Sequence, residues 1–172
     1  MKESLLIVSD MYGGQPAWLQ DYIDHFETDF SVSYFDCKKE AGIPDHIQTP
    51  EEIHQYFVLG GIGHAVQKLL ESETKPGNIL AFSIGGTIAW KAILKGLPCT
   101  RLYCISATRL RYKTQRPDCP IRLIYGEEDT HRPSTTWFNQ MGIDPTIIPN
   151  QGHTLYQAPS LLLSDIQSFF KH

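Results

Sequence analysis

The sequence has little of what several functional classes need. Its four cysteines, Cys37, Cys99, Cys104 and Cys119, form no CxxC pair and share no Cys/His ligand spacing. Neither a disulfide framework nor a bound metal is expected, and the thiols read as buried or incidental in a reducing compartment. Basic charge is not in excess. A formal net charge of -4 implies no wide cationic face, so nucleic acid is not an expected partner. Long apolar runs are missing too. The N-terminal "MKESLLIVSD" offers only Leu5 to Val8 before Ser9 and Asp10, too short for a signal-peptide core or a membrane span. A soluble cytoplasmic protein without a membrane partner is expected. The 11 prolines and 13 glycines are spread along the chain, and no repeat or low-complexity linker divides it. With 172 residues, 41% of them hydrophobic, residues 1–172 read as one domain with one core.

Six short apolar runs predict strands: Leu5–Val8, Val32–Phe35, Ile79–Phe82, Leu102–Ile105, Ile121–Tyr125 and Thr146–Ile148. Several are nearly continuous in apolar residues, the pattern of strands covered on both faces. Helical patterns lie between them. One opens at Pro16 and carries Leu19, Tyr22, Ile23 and Phe26 at helical spacing. Another starts at Thr49-Pro50-Glu51-Glu52, with Thr49 as cap and acids in the first turn. Ala65 to Leu70, Ile84 to Leu94, Ser134 to Met141 and Ser160 to Phe170 supply the rest. This alternation predicts an α/β class, a doubly wound parallel sheet with helices on both faces. Chemistry in such sheets gathers at the carboxyl ends of the strands.

Two segments invite other readings. "YFVLGGIGHAV", Tyr56 to Val66, resembles a strand, glycine turn and helix. It lacks the third glycine of GxGxxG, since Val66 stands there, and it reads better as a helix broken at Gly60-Gly61. "TRLRYKTQR" brings Arg109, Arg111, Lys113 and Arg116 together just past the fourth strand. A solvated basic loop accounts for it; so would a border to the site at which Arg109 and Arg111 favour anionic substrates.

Three residues follow three strand ends. In "ILAFSIGGTIAW", Ser83 sits where a buried strand becomes a helix, with Ala81 two before it and Gly85 two after. A sharp strand-turn-helix lifts a serine hydroxyl clear of the backbone and needs small neighbours there. The helix N-terminus beside it favours developing negative charge. In "IRLIYGEEDTHRP", Asp129 follows the fifth strand and can orient a histidine, with Glu127 and Glu128 as rival acids. In "DPTIIPNQGHTLYQAP", His153 follows the last strand. Of the other histidines, His25, His46, His54 and His64 fall on helices or connecting loops, His131 lies in the acid's own loop, and His172 is terminal.

The order Ser83, Asp129, His153 on a βα scaffold resembles the α/β-hydrolase superfamily, over nearly the whole chain from Leu5 onward. The resemblance implies a minimal six-stranded sheet in the order second, first, third, fourth, fifth, sixth. The chain starts at the strand that ends in the oxyanion loop, and the stretch between Ile105 and Ile121 is too short for a lid. Where the superfamily often carries His-Gly-aromatic-x-Gly, this chain has Asp10-Met11-Tyr12-Gly13-Gly14. The resemblance assigns the oxyanion-binding N–H groups to Ile84 and Tyr12, with Met11 as the alternative in a register shifted by one. An ionised Asp10 would oppose an oxyanion unless turned away or paired.

The activity this implies is cleavage of a carboxylic ester or thioester, a small-molecule acyl substrate, through an acyl-enzyme on Ser83. No metal or organic cofactor is called for. Three alternatives stand beside it: an acyltransferase of the same mechanism, a catalytically silent binding protein, and a dinucleotide-dependent oxidoreductase built on Gly60–Gly63. Oligomeric state is not encoded in any of these features.

Overall fold

The apolar runs become strands of one parallel sheet in the computed structural model, which describes residues 1–72, 75 and 77–172. The strands are β1 (Glu3–Val8), β2 (Phe30–Phe35), β3 (Asn78–Phe82), β4 (Arg101–Ile105), β5 (Ile121–Gly126) and β6 (Thr146–Ile148). Their order is β2-β1-β3-β4-β5-β6, and every neighbouring pair is parallel. That is the expected topology. The register sets Val8 beside Ala81, Phe82 beside Ile105 and Gly126 beside Ile148. The carboxyl ends of β1, β3, β4, β5 and β6 therefore share one edge.

The helices are α1 (Ala17–Phe26), α2 (Cys37–Glu40), α3 (Pro50–Tyr56), α4 (Ile62–Ser72), α5 (Ile84–Leu94), α6 (Thr135–Met141) and α7 (Leu163–Lys171). Thr49 caps α3 by accepting the Glu52 N–H, and Ser134 caps α6 by accepting the Trp137 N–H. Several element ends differ from expectation: β2 starts at Phe30 rather than Val32, and α4 at Ile62 rather than Ala65. The last helix begins at Leu163 rather than Ser160, because Pro159–Leu161 forms a separate 3-10 turn. The short α2 was not legible as a helix; Asp36 makes it by capping the Lys39 N–H.

Side chains alternate along each strand and so feed two cores. Leu5, Ile7, Leu80, Phe82, Tyr103, Ile105 and Ile124 meet α1 and α7 on one face. Leu6, Val8, Ile79, Ala81, Leu102, Cys104, Leu123 and Tyr125 meet the helices of the other. Each fully buried aliphatic side chain contributes about 1.5–3 kcal/mol by leaving water. This explains why the central strands read as continuous apolar runs. No helix among the described residues is long and apolar enough to cross a membrane.

The Tyr56–Val66 segment holds no strand. Phe57–Gly61 forms a π-helical turn between α3 and α4, and Gly60, at φ 146°, breaks the path there. The dinucleotide geometry is thus absent, and the broken-helix reading describes the segment. Between β4 and β5 the chain makes one 3-10 turn, Thr108–Tyr112, and inserts no lid.

Candidate active site

Ser83 joins β3 to α5 at φ 51° and ψ -121°, a conformation that costs on the order of 1–3 kcal/mol for a residue with a Cβ. The turn holds because β3 and α5 are both buried and leave no other path. Gly85 shows how tightly they pack. A Cβ there would lie 2.2 Å from the Ser9 carbonyl oxygen and 2.8 Å from that of Val8. Only glycine lets the first turn of α5 rest on the backbone of β1.

The strand ends bring the three sequence-predicted side chains together. Ser83 Oγ lies 2.9 Å from His153 Nε2, and His153 Nδ1 lies 2.8 Å from Asp129 Oδ2. Asp129 is 4% exposed, whereas the His153 side chain is 40% exposed. The acid is thus sealed in while the imidazole reaches the surface. Burial alone would raise the Asp129 carboxyl. The hydrogen bond and charge of His153, with the His131 N–H on Oδ1 at 3.2 Å, outweigh it and hold the group below the usual carboxylate range. The rivals point elsewhere: Glu127 is exposed and accepts the Asn150 N–H, and the exposed Glu128 gives its backbone N–H to Gln151.

The loop bearing His153 is fixed from three sides. Gly126 allows the Asp129 loop to close on it, since a Cβ there would lie 2.2 Å from the Gln151 carbonyl oxygen. Ser106, buried at the end of β4, donates its hydroxyl to the His153 carbonyl at 2.5 Å. Tyr22 donates to the Tyr156 carbonyl at 2.8 Å, and the Tyr156 ring stands edge-on to His153 at 6.2 Å. Ser83, Ser106 and Asn150 are the non-glycine residues with positive φ among those described, and all follow strand ends on this edge. Backbone strain is concentrated where the side chains converge. Sequence reasoning missed Ser106 and Tyr156. A serine one residue past a buried strand, as Ser83 also is, was the available signal for Ser106; nothing local marks Tyr156.

The loop after β1 departs from the expectation at Tyr12. Asp10 turns its carboxylate back on its own loop, where Oδ1 accepts the Tyr12 N–H at 3.0 Å and the Gly13 N–H at 3.3 Å. Tyr156 donates its hydroxyl to Oδ2 at 3.1 Å. Asp10 is therefore paired, and it occupies the N–H assigned to Tyr12. The Met11 N–H has no protein acceptor among the described residues, and Ile84, as the first residue of α5, has none within its helix. Burial of Asp10 raises its pKa, and the three hydrogen bonds offset this only in part.

Arg109 and Arg111 lie on the 3-10 turn after β4, and neither hydrogen-bonds to Ser83, His153 or Asp129. Arg111 donates to the Thr108 carbonyl at 2.9 Å and the Tyr112 hydroxyl at 2.8 Å. No group of three or more His, Cys, Asp and Glu among the described residues is arranged to hold a metal ion.

No protein-family model matches the sequence, and no curated protein matches it. Solved structures do match. A Xanthomonas campestris pv. campestris protein placed among hydrolases of the alpha/beta superfamily superposes with a TM-score of 0.69 at 18% identity, over 97% of this chain and 99% of that one. A carboxylesterase from Bacillus subtilis gives 0.66 at 13% identity, over 98% and 83%. An alpha/beta hydrolase enzyme from the metagenome of Mar Chica lagoon sediments, Morocco, gives 0.65 at 15% identity, over 99% and 91%. Together with the strand order and the turn at Ser83, these likenesses show that the chain has the α/β-hydrolase fold.

Proposed function

We propose that the protein is a serine hydrolase that cleaves a carboxylic ester or thioester through an acyl-enzyme on Ser83. The observation that carries this reading is the unbroken hydrogen-bonded line from Ser83 Oγ through His153 to the sealed Asp129 carboxylate. With Nδ1–H donated to Asp129, His153 presents an Nε2 lone pair to the serine hydroxyl. It takes that proton as Oγ attacks the acyl carbon, and Asp129 stabilises the imidazolium. Charge developing on the acyl oxygen meets the N–H groups of Ile84 and Met11, each such donor contributing about 3 kcal/mol to the transition state. His153 then protonates the departing alcohol or thiol. Water, deprotonated by the same nitrogen, attacks the acyl-enzyme and frees the acid. No step requires a metal or an organic cofactor. The likeness to a carboxylesterase and to other hydrolases supports the class of reaction.

Intact-mass analysis after fluorophosphonate treatment tests this directly. Wild type should gain one adduct, Ser83→Ala should gain none, and His153→Ala should react slowly. A folded wild type that takes up no label would overturn the proposal.

A further inference from the structure

A basic cluster stands apart from the Ser83 line in a chain whose net charge is -4. A cleft of about 310 Å³ lies between the α3–α4 junction, α5 and the 3-10 turn after β4. Thr87 and Lys91 reach it from α5, Arg109 and Lys113 from the turn and the residue after it, and no Asp or Glu lines it. None of these three cations forms an ion pair among the described residues. They also act on one another: burial lowers the Lys113 pKa, and the charges of Lys91 and Arg109 lower it further.

Gathering three unneutralised cations costs free energy that folding alone does not require. Arg109 is held in place nonetheless, its guanidinium 5.1 Å from the Tyr112 ring centre. Unlike Arg111, it spends no N–H on a protein carbonyl. Thr87 lines the same wall, its hydroxyl sealed from solvent and without a hydrogen-bond partner among the described residues.

We propose that this cleft binds the oxyanion of a small ligand, a phosphate or carboxylate group, with Arg109, Lys91 and Lys113 supplying the charge. The opposite wall is apolar, formed by Phe57, Val58 and Ile62, and suits the hydrocarbon part of such a ligand. Thr87 and Lys91 stand one and two turns beyond Ser83 on α5, about 6 and 12 Å along its axis. An acyl ester with an anionic terminus is the substrate class that would engage both places. That assignment to substrate rests on the hydrolase reading; the binding site itself does not.

Calorimetric titration with inorganic phosphate and with pyrophosphate, at constant ionic strength, tests the site without any turnover. Wild type should bind pyrophosphate saturably. Arg109→Gln and Lys91→Gln should each raise Kd by about fivefold or more, the effect of losing one half-exposed charge contact. Arg101→Gln, at the opposite end of β4, removes the same charge and should change Kd by less than about twofold. Competition between pyrophosphate and the hydrolysis of a carboxylate-bearing ester would assign the cleft to substrate. Binding without competition would assign it to a free oxyanion, and either outcome supports the site. No saturable binding on the order of 10 mM, or equal losses in Arg109→Gln and Arg101→Gln, would overturn it.

Discussion

Replacing Asp129 with asparagine isolates what the buried acid does, because both of its oxygens are committed. Oδ1 accepts the His131 N–H at 3.2 Å and Oδ2 accepts His153 Nδ1–H at 2.8 Å. An amide of the same shape can accept on one side only. If its oxygen stays on the His131 N–H, its NH₂ faces Nδ1, and the imidazole must carry its proton on Nε2. That proton then points at Ser83 Oγ, 2.9 Å away, and no base faces the hydroxyl. If the amide flips, Nδ1–H keeps its acceptor, but two donors confront each other at His131. Leaving a buried donor unpaired costs about 1–3 kcal/mol, so the competent arrangement is depleted about 5- to 150-fold. Loss of the negative charge beside the imidazolium adds to this. In a Ser-His-Asp triad, an acid-to-amide change that leaves the geometry intact lowers kcat by about 10,000-fold. For Asp129→Asn, kcat/KM on a chromogenic ester should fall by about 100- to 10,000-fold. Glu127→Gln and Glu128→Gln, on exposed side chains, should stay within about threefold of wild type. The reasoning is refuted if Asp129→Asn loses less than about fivefold, below the floor set by the flipped amide. A larger loss in either glutamate variant would refute it equally.

Other consequences are simpler to state. Gly85→Ala places a Cβ 2.2 Å from the Ser9 carbonyl oxygen, and because that atom is backbone of the sheet edge, α5 itself must move. A loss of about 3 kcal/mol in urea-induced unfolding is expected, and an unfolding curve within about 0.5 kcal/mol of wild type would contradict the close approach. Asp10 behaves in the opposite sense to Asp129. Burial raises its folded pKa, so its contribution to stability is fully present below the unfolded pKa and is lost as pH rises through the folded one. Asp10→Asn keeps an acceptor for the Tyr12 and Gly13 N–H groups without the buried charge. It should therefore be about 1 kcal/mol more stable than wild type at pH 7, an advantage that vanishes in acid. Equal urea midpoints at both pH values would show that the charge carries no penalty.

The local chemistry of the sequence determined the strands, the alternation and the serine turn. Leu5–Val8 and Ile79–Phe82 are apolar on both faces, which only a sheet covered twice can accommodate, and the small Ala81 and Gly85 let the sharp turn that raises Ser83 form. The order of Ser83, Asp129 and His153 was also legible, because each follows a strand end. Their contact was not. Ser83 and His153 are 70 positions apart, and only the register of parallel strands brings those ends to one edge. The choice of Asp129 over Glu127 and Glu128 likewise depends on which side chain the turn buries beneath His153. The engagement of the Tyr12 N–H came from the Asp10 side chain folding back on its own loop, a conformation no spacing encodes. In the sequence, Arg109 and Lys113 read as part of a solvated basic loop or of a border to the site. Tertiary packing set them against Lys91 and an unpartnered Thr87, since charges distant in the chain repel or cooperate only once the helices have placed them side by side.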